Sequence, residues 1–272
     1  MRRRFAALLA LLSVFAAMPT TAATPATIGP PKSPYNNWAS IVVAGDWRAH
    51  DGGPTEAFDN ARRDVAATLV GLGFRPEAMT QFSTRPERYA EVGAERLTAQ
   101  SMLDALKASA ARAPAGCLVY YTSHGAPVQG AVMDVMGKQY MFSPAEMAAL
   151  VEEACPNRPT IVVVSACFSG AFLPPLQGPR RMVITAARAD RSSFGCSSED
   201  KYPFFDACFM ESVGVARNFP ALAPAIQTCV SRREREMRLS PPSEPQVSID
   251  GNLRLLLGMM PFPTGARAVQ QP

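Results

Sequence analysis

Short runs of consecutive apolar residues alternate along this chain with longer stretches in which apolar positions recur every three or four residues. Ala39-Ser-Ile-Val-Val-Ala-Gly45 is too short for a helix and long enough for a buried strand. Phe58, Ala61, Val65, Leu69 and Leu72 then follow at spacings of 3, 4, 4 and 3, one face of a helix that Gly73 stops. A weaker strand is predicted near Ala78 to Phe82, and a second helix over Thr98 to Arg112, with Met102, Leu103, Leu106 and Ala110 on one side and Pro114 beyond its end. Ala131 to Met141, with Gly137 at its centre, reads as a surface hairpin. Ser143-Pro-Ala-Glu146 opens another helix with a capping box, which runs to Cys155-Pro156.

Between and after these lie apolar strands at Cys117 to Thr122, from Thr160 and at Arg181 to Ala187. Pro203 to Val213 and Ala221 to Met237 read as helices, and Gln246 to Ile249 as a last short strand. Strands alternating with helices over one core predict a mainly parallel sheet with helices on both faces. Length and composition agree with one domain: 272 residues, 47% hydrophobic, enough for a single sizeable core. Its bounds are 38–262, between an exposed Pro, Gly and Asn-rich leader at 27–37 and a flexible tail at 263–272.

Residues 1–26 read as an export signal. Arg2, Arg3 and Arg4 precede the 14-residue apolar run Phe5 to Met18, too short to span a bilayer comfortably, and small residues follow it. A periplasmic or secreted protein with no stable membrane anchor is expected once that segment is removed. Taking those three arginines from the formal charge of +4 leaves +1, too neutral for a nucleic-acid footprint.

Candidate chemistry lies at two strand ends. Cys117-Leu-Val-Tyr-Tyr-Thr-Ser-His124-Gly125 and, 43 residues on, Thr160-Ile-Val-Val-Val-Ser-Ala-Cys167-Phe-Ser-Gly170 each run out into a glycine-bearing turn. In an open parallel sheet reactive groups gather at the carboxyl ends of adjacent strands, so the pattern suits a cysteine nucleophile and its base. Taken singly, a hydrogen-bonded structural histidine and a small buried cysteine are the blander readings, and their pairing favours catalysis. No Gly-x-Ser-x-Gly elbow and no phosphate-binding lysine loop occurs. His50 lies in a loop just past the first strand, where it borders the site or is simply solvated.

Two histidines and six scattered cysteines, with no Cys-x-x-Cys, argue against a structural zinc site. If Cys167 stays reduced, Cys117, Cys155, Cys196, Cys208 and Cys229 allow at most two bridges, and many pairings remain open. Cys208 with Cys229, on successive predicted helices, is the first choice, and Cys117 is expected to be a free core residue.

Tyr121-Thr-Ser-His124-Gly125 together with Val164-Ser-Ala-Cys167-Phe-Ser-Gly170 resembles the legumain family of cysteine peptidases, in the clan of caspases. Val183 to Phe194 is similar to that family's strand and loop after the nucleophile. The resemblance implies a caspase-like three-layer α/β/α sandwich with a six-stranded, mostly parallel sheet. It also implies peptide-bond cleavage through a thioester, with Cys167 as nucleophile, His124 as proton donor to the leaving amine, and the N–H groups of Gly125 and Cys167 as oxyanion donors. Peptide or protein substrates are implied, and no cofactor or metal. A non-catalytic envelope binding module and a transamidase using the same dyad are the alternatives.

Asn60, Ser192 and Asp206 are the expected substrate-binding residues. Asp206 matches the family's pocket aspartate, while Asn60 stands opposite its pocket arginine and Phe168 follows the nucleophile where an acidic residue is common. An Asp206-lined pocket, unless Arg188 or Arg191 swings in, implies a preference for a basic or polar residue before the cut.

Overall fold

The computed structural model describes residues 33–263, so the expected export segment, the first part of the leader and the tail beyond Pro263 lie outside the described residues. In chain order the elements are β1 (Trp38–Ala44), α1 (Ala57–Gly71), β2 (Met79–Ser83), β3 (Glu95–Arg96), α2 (Ala99–Arg112), β4 (Gly116–Thr122), β5 (Gly125–Ala126), β6 (Gly130–Val135) and β7 (Lys138–Phe142). They continue with α3 (Pro144–Ala154), β8 (Thr160–Ser165), α4 (Leu173–Leu176), β9 (Arg181–Thr185), α5 (Phe204–Val213), α6 (Phe219–Glu236), β10 (Gln246–Ile249) and α7 (Gly251–Gly258).

The main sheet runs β10-β9-β8-β4-β1-β2-β3, and every neighbouring pair is parallel except β9 with β10. It has seven strands, against the six expected. The seventh, β3, is two exposed residues joined to Phe82 and Ser83 by main-chain pairing alone, with no apolar pattern to betray it. A second sheet, β5-β6-β7, is a small antiparallel meander.

Alternation along the strands sorts the core into two layers. Leu118 and Tyr120 of β4 and Ile161 and Val163 of β8 face α1, α5, α6 and α7, where they meet Val65, Leu69, Phe209, Ile226 and Leu253. Cys117, Val119 and Tyr121, with Val162 and Val164, face α2 and α3 and pack on Met102, Leu106, Met147 and Val151. The capping box read from Ser143 and Glu146 forms as expected, each side chain bonding the other residue's main-chain N–H.

Each face carries one disulfide. Cys208–Cys229 joins α5 to α6 with a Cα separation of 5.6 Å, the pair expected from the sequence. Cys117 is not free: it is bridged to Cys155 at the end of α3, with Cα atoms 6.4 Å apart. An inward-facing strand position looks the same in sequence whether its thiol packs or pairs, and only the arrival of α3's last turn decides. Cys167 and Cys196 are unpaired.

The described part of the leader is not wholly exposed. Tyr35 is buried, stacked on Phe74 with ring centres 5.2 Å apart, and its hydroxyl donates to the Met260 carbonyl at 2.8 Å. That carbonyl follows α7, a helix the sequence reading did not anticipate, whose first turn is capped by Asp250 accepting from the Leu253 N–H at 3.0 Å.

Candidate active site

β4 and β8 are parallel neighbours in which Thr122 stands opposite Ser165, and the Ser123 N–H carries the pairing one step further by donating to the Ser165 carbonyl at 3.0 Å. Two residues past that rung, the chains reach His124 and Cys167. They run together closely enough that a Cβ on Gly125 would lie 2.0 Å from the Cys167 carbonyl oxygen and 3.2 Å from Ala166 Cβ. Gly125 is therefore required by close approach of two main chains.

The same glycine begins β5. Gly125 pairs with Ala131, and the Val132 N–H donates to the His124 carbonyl at 2.8 Å, the signature of a non-hydrogen-bonded pair in an antiparallel ladder. The Gly125 N–H accordingly points away from β6. Among the described residues the Cys167 N–H donates no hydrogen bond either.

The turn after Cys167 is sharp. Phe168 takes a left-handed conformation at φ 58° and ψ 16°, which costs a bulky residue about 1–3 kcal/mol. It is held by its N–H donating to the Arg191 carbonyl at 2.8 Å, while the Ala187 N–H donates to Ser169 Oγ at 3.1 Å. A Cβ on Gly170 would sit 2.4 Å from the Ala189 nitrogen, so this turn too is built on close backbone approach. Cys167 Sγ receives the Ser193 N–H at 3.2 Å, so the 188–200 loop closes over one side of the sulfur.

The His124 imidazole is held by a different loop. Its Nε2 lies 2.8 Å from the carbonyl oxygen of Arg48, and Phe58 meets the ring edge-on at 5.0 Å. A carbonyl only accepts, so Nε2 carries the hydrogen and Nδ1 is the nitrogen left for proton exchange. The Arg48 segment is anchored by two buried carboxylates. Asp46 accepts from the Trp47 and Arg48 N–H groups at 2.7 and 3.1 Å and from Gln139 Nε2 at 2.8 Å. Asp134 takes Arg48 Nη1 at 2.6 Å and the Gly137 N–H at 2.8 Å. The β6–β7 hairpin thereby sets the carbonyl that orients His124. Sequence reasoning missed Arg48, since a main-chain acceptor has no residue signature.

The expected substrate-binding residues are dispersed. Ser192 is exposed, next to the Ser193 that touches Cys167. Asn60 is half-buried inside α1 and donates through Nδ2 to the Lys201 carbonyl at 3.2 Å, so it braces a loop and caps no helix. Asp206 departs most from expectation. It has no exposed surface, and its oxygens accept from the hydroxyls of Tyr120 at 2.5 Å, Thr122 at 2.8 Å and Ser165 at 2.9 Å. A carboxylate sealed in this way lines no open pocket, which removes the basis for expecting a basic residue before the cut. Burial raises its pKa to about 6 against the pull of those donors. Arg188 and Arg191 both bond Asp190, and Arg188 also bonds Glu244, so neither swings toward Asp206.

His50 is exposed and borders a polar groove beside the imidazole, together with Asp46, Arg48, His124, Gly125 and Gln139. The second free thiol, Cys196, has its carbonyl bonded by the His50 N–H at 3.3 Å. Burial first, then the charges of Cys167, Asp200 and Asp206, push the Cys196 pKa to about 12.

The architecture is that of caspase-like proteins. The crystal structure of caspase-1 from Spodoptera frugiperda superimposes with a TM-score of 0.55 at 12% identity, over 80% of this chain and 88% of that one. A structure of pro-sf-caspase-1 matches with a TM-score of 0.51 at 13% identity, over 78% and 90% of the two chains. At such identities these likenesses concern the fold. More particularly, residues 104–215 match the Peptidase C13 family, so the resemblance to legumain-type peptidases read from the sequence is borne out over the stretch that contains both His124 and Cys167. No curated protein sequence matches the chain.

Proposed function

We propose that this chain is an exported cysteine endopeptidase that hydrolyses peptide bonds through Cys167 and His124 by way of a thioester. The observation that carries the reading is the main-chain contact between Gly125 and Cys167, which joins the His124 and Cys167 strand ends beside a free thiol, with neither residue's N–H donating a hydrogen bond among the described residues. Cys167 Sγ gives its proton to His124 Nδ1 and adds to the substrate carbonyl carbon, and the N–H groups of Gly125 and Cys167 hydrogen-bond the oxyanion that forms. The C–N bond then breaks as His124 Nδ1 delivers a proton to the departing amine. Water adds to the thioester, giving its proton back to His124, and the C–S bond breaks to release the acid and restore the thiol.

The family match supports peptides or proteins as substrates. Ser192, exposed beside the sulfur, is available to the acyl side of such a chain. Two disulfides among the described residues support a working place outside a reducing cytoplasm, in line with the signal-like pattern of residues 1–26.

Covalent capture tests the chemistry. A peptide acyloxymethyl ketone is expected to label Cys167 and abolish turnover, and Cys167→Ala and His124→Ala are each expected to remain folded and inactive. Wild-type cleavage by Cys167→Ala overturns the proposal. For export, intact mass of the native protein is expected to place its first residue between Ala23 and Thr27, whereas retention of Met1 overturns that part.

A further inference from the structure

Asp206 lies in the first turn of α5, directly beneath the rung from which both reactive residues project. Its Oδ2 accepts from Thr122 Oγ1 and Ser165 Oγ together, and these two residues are register partners across β4 and β8. Thr122 precedes His124 by two positions, and Ser165 precedes Cys167 by two. The remaining oxygen, Oδ1, takes the hydroxyl of Tyr120, one more β4 residue on the same face. One carboxylate therefore clamps the last turnward-facing hydroxyls of both strands to one helix, at full burial.

Such a group is costly where mere packing would serve. A buried carboxylate must be desolvated, and apolar replacements of similar shape are often neutral or stabilising. What an apolar side chain lacks is direction: it does not set the lateral spacing of two hydroxyls that share an acceptor atom. Spacing has consequences two residues further on, about 7 Å at the usual rise of a strand. There Gly125 and the Cys167 carbonyl are already in contact, so the two strand ends have no room to move closer and relax only by moving apart.

Taking the proposed Cys167 and His124 chemistry as its premise, we infer that Asp206 is a positioning residue for the dyad: by holding Thr122 and Ser165 on one oxygen it keeps the ends of β4 and β8 at the separation that proton transfer and attack require. It neither touches substrate nor selects the residue before the cut.

The test is steady-state cleavage of a peptide library by the purified full chain and by Asp206→Asn, Thr122→Val, Ser165→Ala and Cys167→Ala, with thermal unfolding of each. Misplacement by about 1 Å costs on the order of a hundredfold in rate. Asp206→Asn is expected to lose kcat on that scale while KM and the preference before the scissile bond stay as in the parent. Thr122→Val and Ser165→Ala, which each remove one tie, are expected to lose kcat in the same direction and less. A changed residue preference with kcat retained makes Asp206 a specificity residue and overturns the inference. Lowered thermal stability with kcat retained makes it a structural prop and also overturns it. If Asp206→Asn does not fold, the two hydroxyl variants decide on the same criteria. Cys167→Ala separates the two levels: full activity there sinks the dyad itself, whereas an inactive Cys167→Ala beside a fully active Asp206→Asn sinks only the role of Asp206.

Discussion

His124 Nε2 and the main-chain carbonyl of Arg48 meet at 2.8 Å across 76 residues of sequence, so the imidazole is oriented by a loop and not by a third side chain. That loop is only as firm as the grip of Asp46 and Asp134 on Arg48, whose side chain is 22% exposed while theirs are 0% and 1% exposed.

Removing one jaw of that grip is expected to cost both stability and rate. Asp134→Ala leaves Arg48 half-paired and the Gly137 N–H without its acceptor, and breaking a largely buried pair costs about 3 kcal/mol. Urea unfolding should report a loss of that order, and kcat should fall with it because the Arg48 carbonyl loses its anchor. Unchanged values for both would show that the hairpin does not support His124.

Gly125→Ala is expected to lose activity at least as severely. The new Cβ would overlap the Cys167 carbonyl oxygen at 2.0 Å, a clash with main chain that no rotamer relieves. Overpacking of this kind costs about 1–3 kcal/mol and here must be relieved by opening the site itself. Peptide cleavage and thermal unfolding, measured together, should show kcat falling by more than the stability loss explains.

The two free thiols should differ in reactivity. With a pKa of about 12, Cys196 is roughly one part in ten thousand thiolate at pH 8. Brief iodoacetamide treatment of the native protein at pH 8 is expected to modify Cys167 and leave Cys196 intact, as read by peptide mass mapping. Preferential labelling of Cys196 would contradict the raised pKa of that thiol.

Asp206 should also leave a mark on stability as a function of pH. Its pKa stands near 6 in the fold, above the ordinary carboxylate value of 3.8, because burial disfavours the charge. The protonated form is therefore favoured by folding, so this group's contribution is best below pH 4 and is lost as pH rises through about 6. At 1.36 kcal/mol for each pH unit between the two values, the loss is about 3 kcal/mol. Denaturant unfolding across that window should show a component of falling stability in the parent that Asp206→Asn lacks.

Most of the strands and helices, the two glycine-bearing strand ends with His124 and Cys167, and the Ser143 cap were legible in the chain because each is a local matter. A strand's alternation, a helix's stripe and a cap's hydrogen bonds involve residues within a few positions of one another. Cys208 with Cys229 was within reach for a similar reason, 21 residues apart on successive helices. Tertiary structure alone decided the rest. The Arg48 carbonyl belongs to every residue type equally. The Cys117 thiol acquires its partner only when α3 returns to the sheet, 38 residues later. Asp206 meets Tyr120, Thr122 and Ser165 across 86, 84 and 41 residues. In sequence it was a carboxylate suited to a pocket, and folding enclosed it because the first turn of α5 brings it to the strand ends, leaving three hydroxyls in place of solvent.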